Sequence, residues 1–520
     1  LVCAFYLARA GHAVTVLERR GVVGGAAVTE EFHPGFRNST ASYTVSLLNP
    51  RIIDDMSLHA HGLRIVERPI ANFLPSQDGR YLKLGPTLAH SQAELSKFSQ
   101  EDADTLPRYY AMLDQVGDVL RRMAMQTPPN LGEGIAALPR ALMQGNSLRR
   151  LGLPQQRDLL DLFTKSARDV LDSWFQSDEI KAMLGFDSIV GNYASPETPG
   201  SAYVLLHHTF GGVNGKTGNW GHAIGGMGAI TQAMARACTK VGVEIRLDAP
   251  VREVLVENKR ACGVLLESGE EIAAATVVSN LNPKLLFQHL VPQSALDADF
   301  RHRISGYKNA SGTFRMNVAL SELPDFTCLP GRAPADHHAS GIIIGPTLEY
   351  MDRAYQDARQ YGWSRAPIIE MLIPSTLDDT LAPPGQHVAS LFCQHVAPKL
   401  PDRDWAGARE EVADVMIDTV TRYAPNFRAS VLGRVSLSPA DLEEKFGLTN
   451  GDIMHGNMSL DQLWASRPIL GHASYKSPIK NLYMCGSGTH PGGGVSGMPG
   501  HNAAREILRS SKWFARATHK

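Results

Sequence analysis

The run NLYMCGSGTHPGGGVSGMPGHNAARE, residues 481–506, restricts the fold more than any other stretch of the chain. Its apolar start, 482–485, predicts a strand that leads into Gly486-Ser487-Gly488, then a glycine-dense turn at 491–494, then a helix starting near Val495. Glycine lets backbone come within contact distance of a ligand, and a helix N-terminus offers unpaired N–H groups with a partial positive charge. Gly486, Ser487, Gly494, Val495 and Ser496 are therefore candidate contacts for an electron-rich ring. Read alone, the same pattern also fits a purely structural turn.

The opening residues give that turn a partner. Residues 2–10 carry helical apolar spacing, Gly11 is a natural stop, and 13–17 read as a short buried strand closing on Glu18. In a dinucleotide-binding βαβ unit an acid at this point accepts hydrogen bonds from the ribose hydroxyls, about 20 residues after the phosphate-binding glycines. On that spacing, an apolar strand and a G-x-G-x-x-G loop are expected immediately before Leu1. Glu18 followed at this spacing by Gly24-Gly25-Ala26 resembles the FAD-specific extension of this fold, and the resemblance implies that the paired glycines pass beneath the flavin pyrophosphate and ribityl chain. Many such sequences place a basic residue after the pair. Ala26 stands there, so a charge contact must come from Arg19 or Arg20.

A third segment, 224–280, reads as a glycine turn, a helix from about Ala229, a strand at 243–246, a strand pair at 251–257 and 263–267 around Ser268-Gly269-Glu270, and a last strand at 275–279. Together with ERRGVVGGAAVTEEFHPGFRNSTASYTVSLLNP, SPETPGSAYVLLHHTFGG, MSLDQLWASRP and CGSGTHPGGGVSGMPGHNAA, the chain resembles the phytoene desaturase and carotenoid isomerase branch of FAD-dependent oxidoreductases. The resemblance implies FAD as cofactor and places Val251 against the adenine through its backbone. It also implies an α/β fold, in which a Rossmann-type, glutathione-reductase-like FAD domain is intertwined with a substrate domain of mixed sheet and helices. The expected ranges are 1–70, 215–300 and 470–520 for the FAD domain, and 71–214 and 301–469 for the substrate domain.

Composition fits a large enzyme. A chain of 520 residues exceeds one core and should divide into two domains. With 51 basic and 52 acidic side chains, no net field draws it to nucleic acid or anionic lipid. It has no apolar run of about 18 residues and no visible leader, so no spanning helix is expected. The expected compartment is the cytoplasm in a bacterium and the mitochondrial matrix in a eukaryote. The six cysteines contain no close pair in sequence, so neither a redox dithiol nor a metal site follows from spacing. Cys485 alone adjoins the glycine turn.

The intervening residues should build the substrate side. Leu159, Phe163, Ala167, Val170 and Trp174 recur at helical spacing, as a stripe that packs on its own domain or rests peripherally on a membrane. Strands are expected at 314–320, 341–344, 368–373 and 388–392, forming a sheet that roofs the flavin, with substrate between. Flavin chemistry asks the protein chiefly to orient a C–H bond and exclude water. Catalytic residues do not emerge: His207, His208 and His490 read as structural, Glu370 and Arg315 as cavity orienters or a buried pair, and Asp461 as a salt-bridge partner. The expected activity is oxidation of an apolar small molecule; a redox-neutral isomerase and a non-catalytic flavin-binding regulator stay open beside it.

Overall fold

Strands with two buried faces form the largest sheet. The computed structural model describes residues 1–517, without the side chains of Ser147, His207, His208, Thr217 and residues 511–517. Its seven-stranded sheet runs in the order Val431–Leu437, Thr313–Leu320, His387–Val396, Trp363–Leu372, Gly341–Ile344, Asn72–Pro75, Tyr81–Leu84. Pairing is antiparallel except between Gly341–Ile344 and Asn72–Pro75. Every residue of Thr313–Leu320 is buried, and the two-residue period sorts them. Phe314, Met316, Val318 and Leu320 join Trp405, Val412 and Met416 of the helix Trp405–Thr421 in one core. Arg315, Asn317 and Ala319 alternate with them and face the other way.

On that second face the sheet meets two bodies of structure. One is helical: Gln100–Ala124, Leu153–Thr164, Ala167–Asp172 and Asp178–Gly185 share a core with Leu74, Ile343 and Ile368. Of the helical stripe foreseen in the sequence, Ala167 and Val170 are buried here and Leu159 and Trp174 pack against them, whereas Phe163 is half-buried with its ring 4.9 Å from that of Tyr203. Burial of each such side chain contributes about 1.5 to 3 kcal/mol, which is why the stripe turns inward.

The other body is α/β. Thr15–Leu17 pairs in parallel with Glu244–Arg246, and Val277–Ser279 pairs in parallel with Leu482–Met484. Val251–Glu257, Arg260–Leu266 and Glu271–Ala273 form an antiparallel sheet beside them. The helix Val2–Arg9 packs through Val2 and Phe5 on Ile230 and Met234 of the helix Met227–Lys240, and through Cys3 and Leu7 on Ala503 and Ile507 of the C-terminal helix Met498–Ala517. The α/β class and the mixed sheet with helices match the sequence expectation.

A buried amide pair ties this body to the sheet. The Asn38 side chain donates to the Asn317 carbonyl oxygen at 2.8 Å, and the Asn317 amide donates to Ser39 O at 3.0 Å. Asn317→Leu leaves one buried donor and one buried acceptor without partners, so it should destabilise the protein by about 1 to 3 kcal/mol. Urea unfolding of wild type and variant measures this; an unchanged midpoint would show that the two bodies are joined elsewhere.

Candidate functional site

The C-terminal glycine turn is fixed from several sides. A Cβ on Gly486 would lie 2.1 Å from the Asn280 carbonyl oxygen, so only glycine lets this strand end cross its neighbour. The Tyr475 hydroxyl donates to His490 O at 2.9 Å, and the His490 ring donates through Nε2 to Met123 O at 3.1 Å. Burial holds that imidazole down to about 4, hence neutral near pH 7. Arg467, fully buried, donates to the carbonyls of Met454 (2.8 Å), Gln462 (3.1 Å) and Ser487 (2.8 Å), and at 3.4 Å to those of Gly456 and Asn457.

The helix begins at Met498, later than the expected start near Val495. Gly494 (φ 101°), Val495 (φ 56°) and Gly497 (φ 74°) have left-handed backbone, which a right-handed helix cannot contain. For β-branched Val495 this conformation costs on the order of 1 to 3 kcal/mol, and such strain gathers at functional sites. Among the described residues, no protein acceptor takes the N–H of Gly492, Gly493, Gly494, Val495, Ser496 or Gly497. Buried or half-buried backbone donors are nearly always paired, so a run of open ones is the signature of a nest for an electron-rich ligand. The Ser496 hydroxyl accepts from Met498 N at 3.3 Å, and its carbonyl accepts from Asn49 N at 3.1 Å.

The other sequence-predicted residues lie around the same body. Val495 packs against the cluster that contains Ala27, Val45 and Leu48, which brings the C-terminal turn to the paired glycines. Gly24 (φ 130°) is pressed on Thr231, whose hydroxyl a Cβ would meet at 2.7 Å; Gly25 (φ 56°) has nothing within 4 Å of its Cβ position. The Gly24, Gly25 and Ala26 N–H groups also meet no acceptor among the described residues, nor do those of Gly486 and Ser487. Glu18 accepts from the Arg20 N–H at 2.9 Å through Oε1, and Oε2 is without a partner among the described residues. The Ala249 N–H donates to Glu18 O at 2.9 Å, which sets Val251, the first residue of its strand, beside this acid. Arg19 turns away and donates to Glu444 O and Lys445 O at 3.0 and 2.8 Å. Arg20 is the better charge donor: it pairs with Glu30, lies over the Phe446 ring at 5.1 Å, and keeps a buried Nη1 without a hydrogen-bond partner among the described residues. An acid for ribose, an open glycine pair, a buried free guanidinium nitrogen and a nest of N–H groups fit FAD.

Arg315 and Glu370 are the polar inserts in the sheet. Both are register partners of Phe392, on opposite sides of its strand, so they share one face. They do not pair directly. Arg315 donates to Leu391 O (2.7 Å) and Ser390 Oγ (2.8 Å), and its guanidinium lies 4.6 Å from the Tyr43 ring centroid. Glu370 accepts from the Tyr43 hydroxyl; burial raises its carboxyl, a shift opposed by Arg68, by that hydrogen bond and by Arg315. Asp461 pairs with Lys308 at 2.8 Å on the surface. The side chains of His207 and His208 lie outside the described residues.

Residues 1–312 match the family model described as flavin containing amine oxidoreductase. The chain belongs to this family. It is 41% identical to the rat (Rattus norvegicus) protein named pyridine nucleotide-disulfide oxidoreductase domain-containing protein 2, over 98% of this chain and 92% of that one. It is 27% identical to a limonene dehydrogenase component of Castellaniella defragrans, over the same shares. Among solved structures, an oxidoreductase from Methanosarcina mazei shares the fold at TM-score 0.61 and 16% identity, covering 98% of this chain and 97% of that one. The chain is thus an FAD-dependent oxidoreductase of the flavin-containing amine oxidoreductase family.

The disulfide in the rat protein's name has no counterpart here, since all six cysteines are free. The fold nevertheless brings Cys3 to Cys485, and their hydrogen bond lowers the Cys485 thiol and raises that of Cys3. Sequence spacing held no sign of that contact, nor of Arg467 and Tyr475 as clamps of the turn.

Glu18 supplies the clearest test of the nucleotide end in this flavin-containing oxidoreductase. Glu18→Ala should remove a charge-assisted acceptor worth roughly 1.5 to 3 kcal/mol, weakening FAD about ten- to a hundredfold. Titration of flavin-stripped protein with FAD measures this, and unchanged affinity would remove Glu18 from the ribose.

Proposed function

We propose that this flavin-containing oxidoreductase dehydrogenates a predominantly apolar small molecule held between the seven-stranded sheet and the glycine turns. The observation that carries the reading is the sheet face itself: around the polar inserts Arg315 and Glu370, Phe392 stacks on Tyr43 with ring centroids 5.3 Å apart and Leu372 is buried nearby, while Leu74, Ile343 and Ile368 on the same side pack into the helical core. A surface of that kind excludes water and holds a hydrocarbon by burial, leaving orientation to few polar groups. The relative named as a limonene dehydrogenase component supports the same substrate class. FAD, when bound, supplies the two-electron acceptor. The chain's own contribution is positional: Arg467 and Tyr475 fix the turn, the Gly492–Gly497 N–H groups offer positive dipoles to a reduced ring, and the sheet sets the substrate's face.

Access from a bilayer suits such a substrate. No helix among the described residues is long and apolar enough to cross a membrane. Leu131, Ile135, Leu138, Leu142, Leu153 and Leu160 nonetheless leave large apolar side chains exposed, Ile135 at 84%, within one helical region that also exposes Arg149, Arg150 and Arg157. Apolar groups rimmed by arginine are the makings of a peripheral membrane contact.

Anaerobic mixing of flavin-loaded protein with terpenes and long-chain lipids, in micelles and in anionic vesicles, tests the reading. The expected result is bleaching of the oxidised flavin by one substrate class, faster from vesicles, with colour restored by oxygen or a quinone. A flavin inert to all of them contradicts it, and conversion of substrate without net consumption of acceptor would assign an isomerase.

A further inference from the structure

The cleft at the junction of the sheet and the cofactor body is not wholly apolar. Its walls include Tyr43, Arg68, His222, Ser340, Leu372 and Ile373, around a gap of about 10 Å³, room for one water-sized group. A gap of that size admits the polar end of a longer molecule, not the whole of it.

Arg68 is the unusual group in it. The residue follows the strand Ile65–Glu67, and its guanidinium lies 5.6 Å from the Trp220 ring centroid. Nη2 donates to Thr44 Oγ1 at 2.6 Å. Nη1 stands 4.0 Å from Glu370 Oε1, beyond hydrogen-bond reach, and has no hydrogen-bond partner among the described residues although the side chain is only 4% exposed. A buried guanidinium nitrogen without an acceptor is costly unless a ligand completes it.

One carboxylate is shared between two guanidiniums. Arg68 and Arg315 both face Glu370, whose other oxygen is taken by the Tyr43 hydroxyl. Asp187 is pushed well above the usual carboxylate range, first by burial and then by Glu370, which favours its neutral form. Asp378 stays ionised at about 2 in spite of burial, because His222, Thr380 and the Gly225 N–H engage its oxygens. Glu370 is the carboxylate that both guanidiniums face, and Arg68 Nη1 still has no acceptor among the described residues.

We infer that Arg68 binds the carboxylate of a monoanionic, otherwise apolar substrate, and so fixes which end of that molecule lies at the sheet. This deepens the proposed dehydrogenation of an apolar small molecule and rests on it. A monoanion is favoured over a phosphate monoester, because Glu370 beside the free nitrogen repels a second negative charge. The apolar chain of the acid continues along the Phe392 and Leu372 face.

Flavin-loaded protein titrated with decanoate, decanol and decyl phosphate provides the test, read by the flavin spectrum and by the part of tryptophan fluorescence that Trp220→Phe abolishes. Decanoate should bind about ten- to a hundredfold tighter than either of the others. Arg68→Met should erase the preference, and Arg68→Lys should keep part of it. Because Arg68→Met strands Glu370, the double variant Arg68→Met/Glu370→Gln serves as the folded control and should also bind acid and alcohol alike. Equal binding of all three probes by wild type overturns the inference, as does tighter binding of decyl phosphate, or an acid preference that survives in the double variant. A shift of flavin potential in Arg68→Met with probe binding unchanged overturns it too, since Arg68 would then serve the ring. Acid selectivity beside a flavin inert to every donor upholds the anion site and sinks the dehydrogenase reading; turnover of acid-free hydrocarbons unaffected by Arg68→Met does the reverse.

Discussion

A guanidinium with no carboxylate partner among the described residues holds the cofactor side of this molecule together. Arg467 is fully buried, and its acceptors are backbone carbonyls from Met454 to Gln462 and, across the turn, Ser487. Carbonyl dipoles solvate the charge, so the usual penalty for an unpaired buried ion is met by the loop backbone. The arrangement works in both directions. Loops that would otherwise lack partners for their C=O groups are gathered onto one rigid fork, and the strand end at Ser487 is set before the glycine run starts.

That rigidity sustains a strained and unsatisfied turn. Val495 sits in left-handed backbone, and the donors from Gly492 to Gly497 stay open among the described residues. Both features are unfavourable by themselves and persist only because Arg467, Tyr475 and the buried His490 over-determine the turn. A ligand that accepts those hydrogen bonds recovers part of the cost. The same logic governs the first turn, where Gly24, Gly25 and Ala26 leave their donors open beside Arg20. The protein thus presents preformed positive dipoles at two places that a dinucleotide can bridge.

The turns that carry Glu18, the paired glycines and the C-terminal run were legible in the sequence because strand, glycine turn and helix follow one another at short range, the spacing expected of a nucleotide-binding backbone. Val251 and FAD itself came from family resemblance. The strand at 314–320 was visible from its alternation, and those at 341–344, 368–373 and 388–392 as apolar runs, although Trp363–Leu372 and His387–Val396 extend beyond them; the hairpin Asn72–Pro75 and Tyr81–Leu84 is too short for a period to declare itself. The last helix starts at Met498 and not near Val495, because Val495 and Gly497 have left-handed backbone while Pro499 suits the first turn of a helix. Arg19 and Arg20 could not be ranked, because their neighbours Glu30, Glu444 and Phe446 are remote or equivocal in sequence. Arg467, Arg68 and the Cys3–Cys485 contact lay beyond pattern altogether. Their partners are carbonyls, rings and thiols brought in by tertiary packing, which no local spacing encodes.

The central claim is that the open N–H groups of the glycine turn are completed by flavin. Amide hydrogen exchange of flavin-stripped and flavin-loaded protein, read on peptides covering residues 486–500, tests it most directly. The account predicts fast exchange at Gly492–Gly497 without flavin and strong protection with it, while the Ile65–Glu67 segment changes little. Exchange at the turn that is equally slow, or equally fast, in both states would contradict it, and the glycine run would then be architecture rather than a binding site.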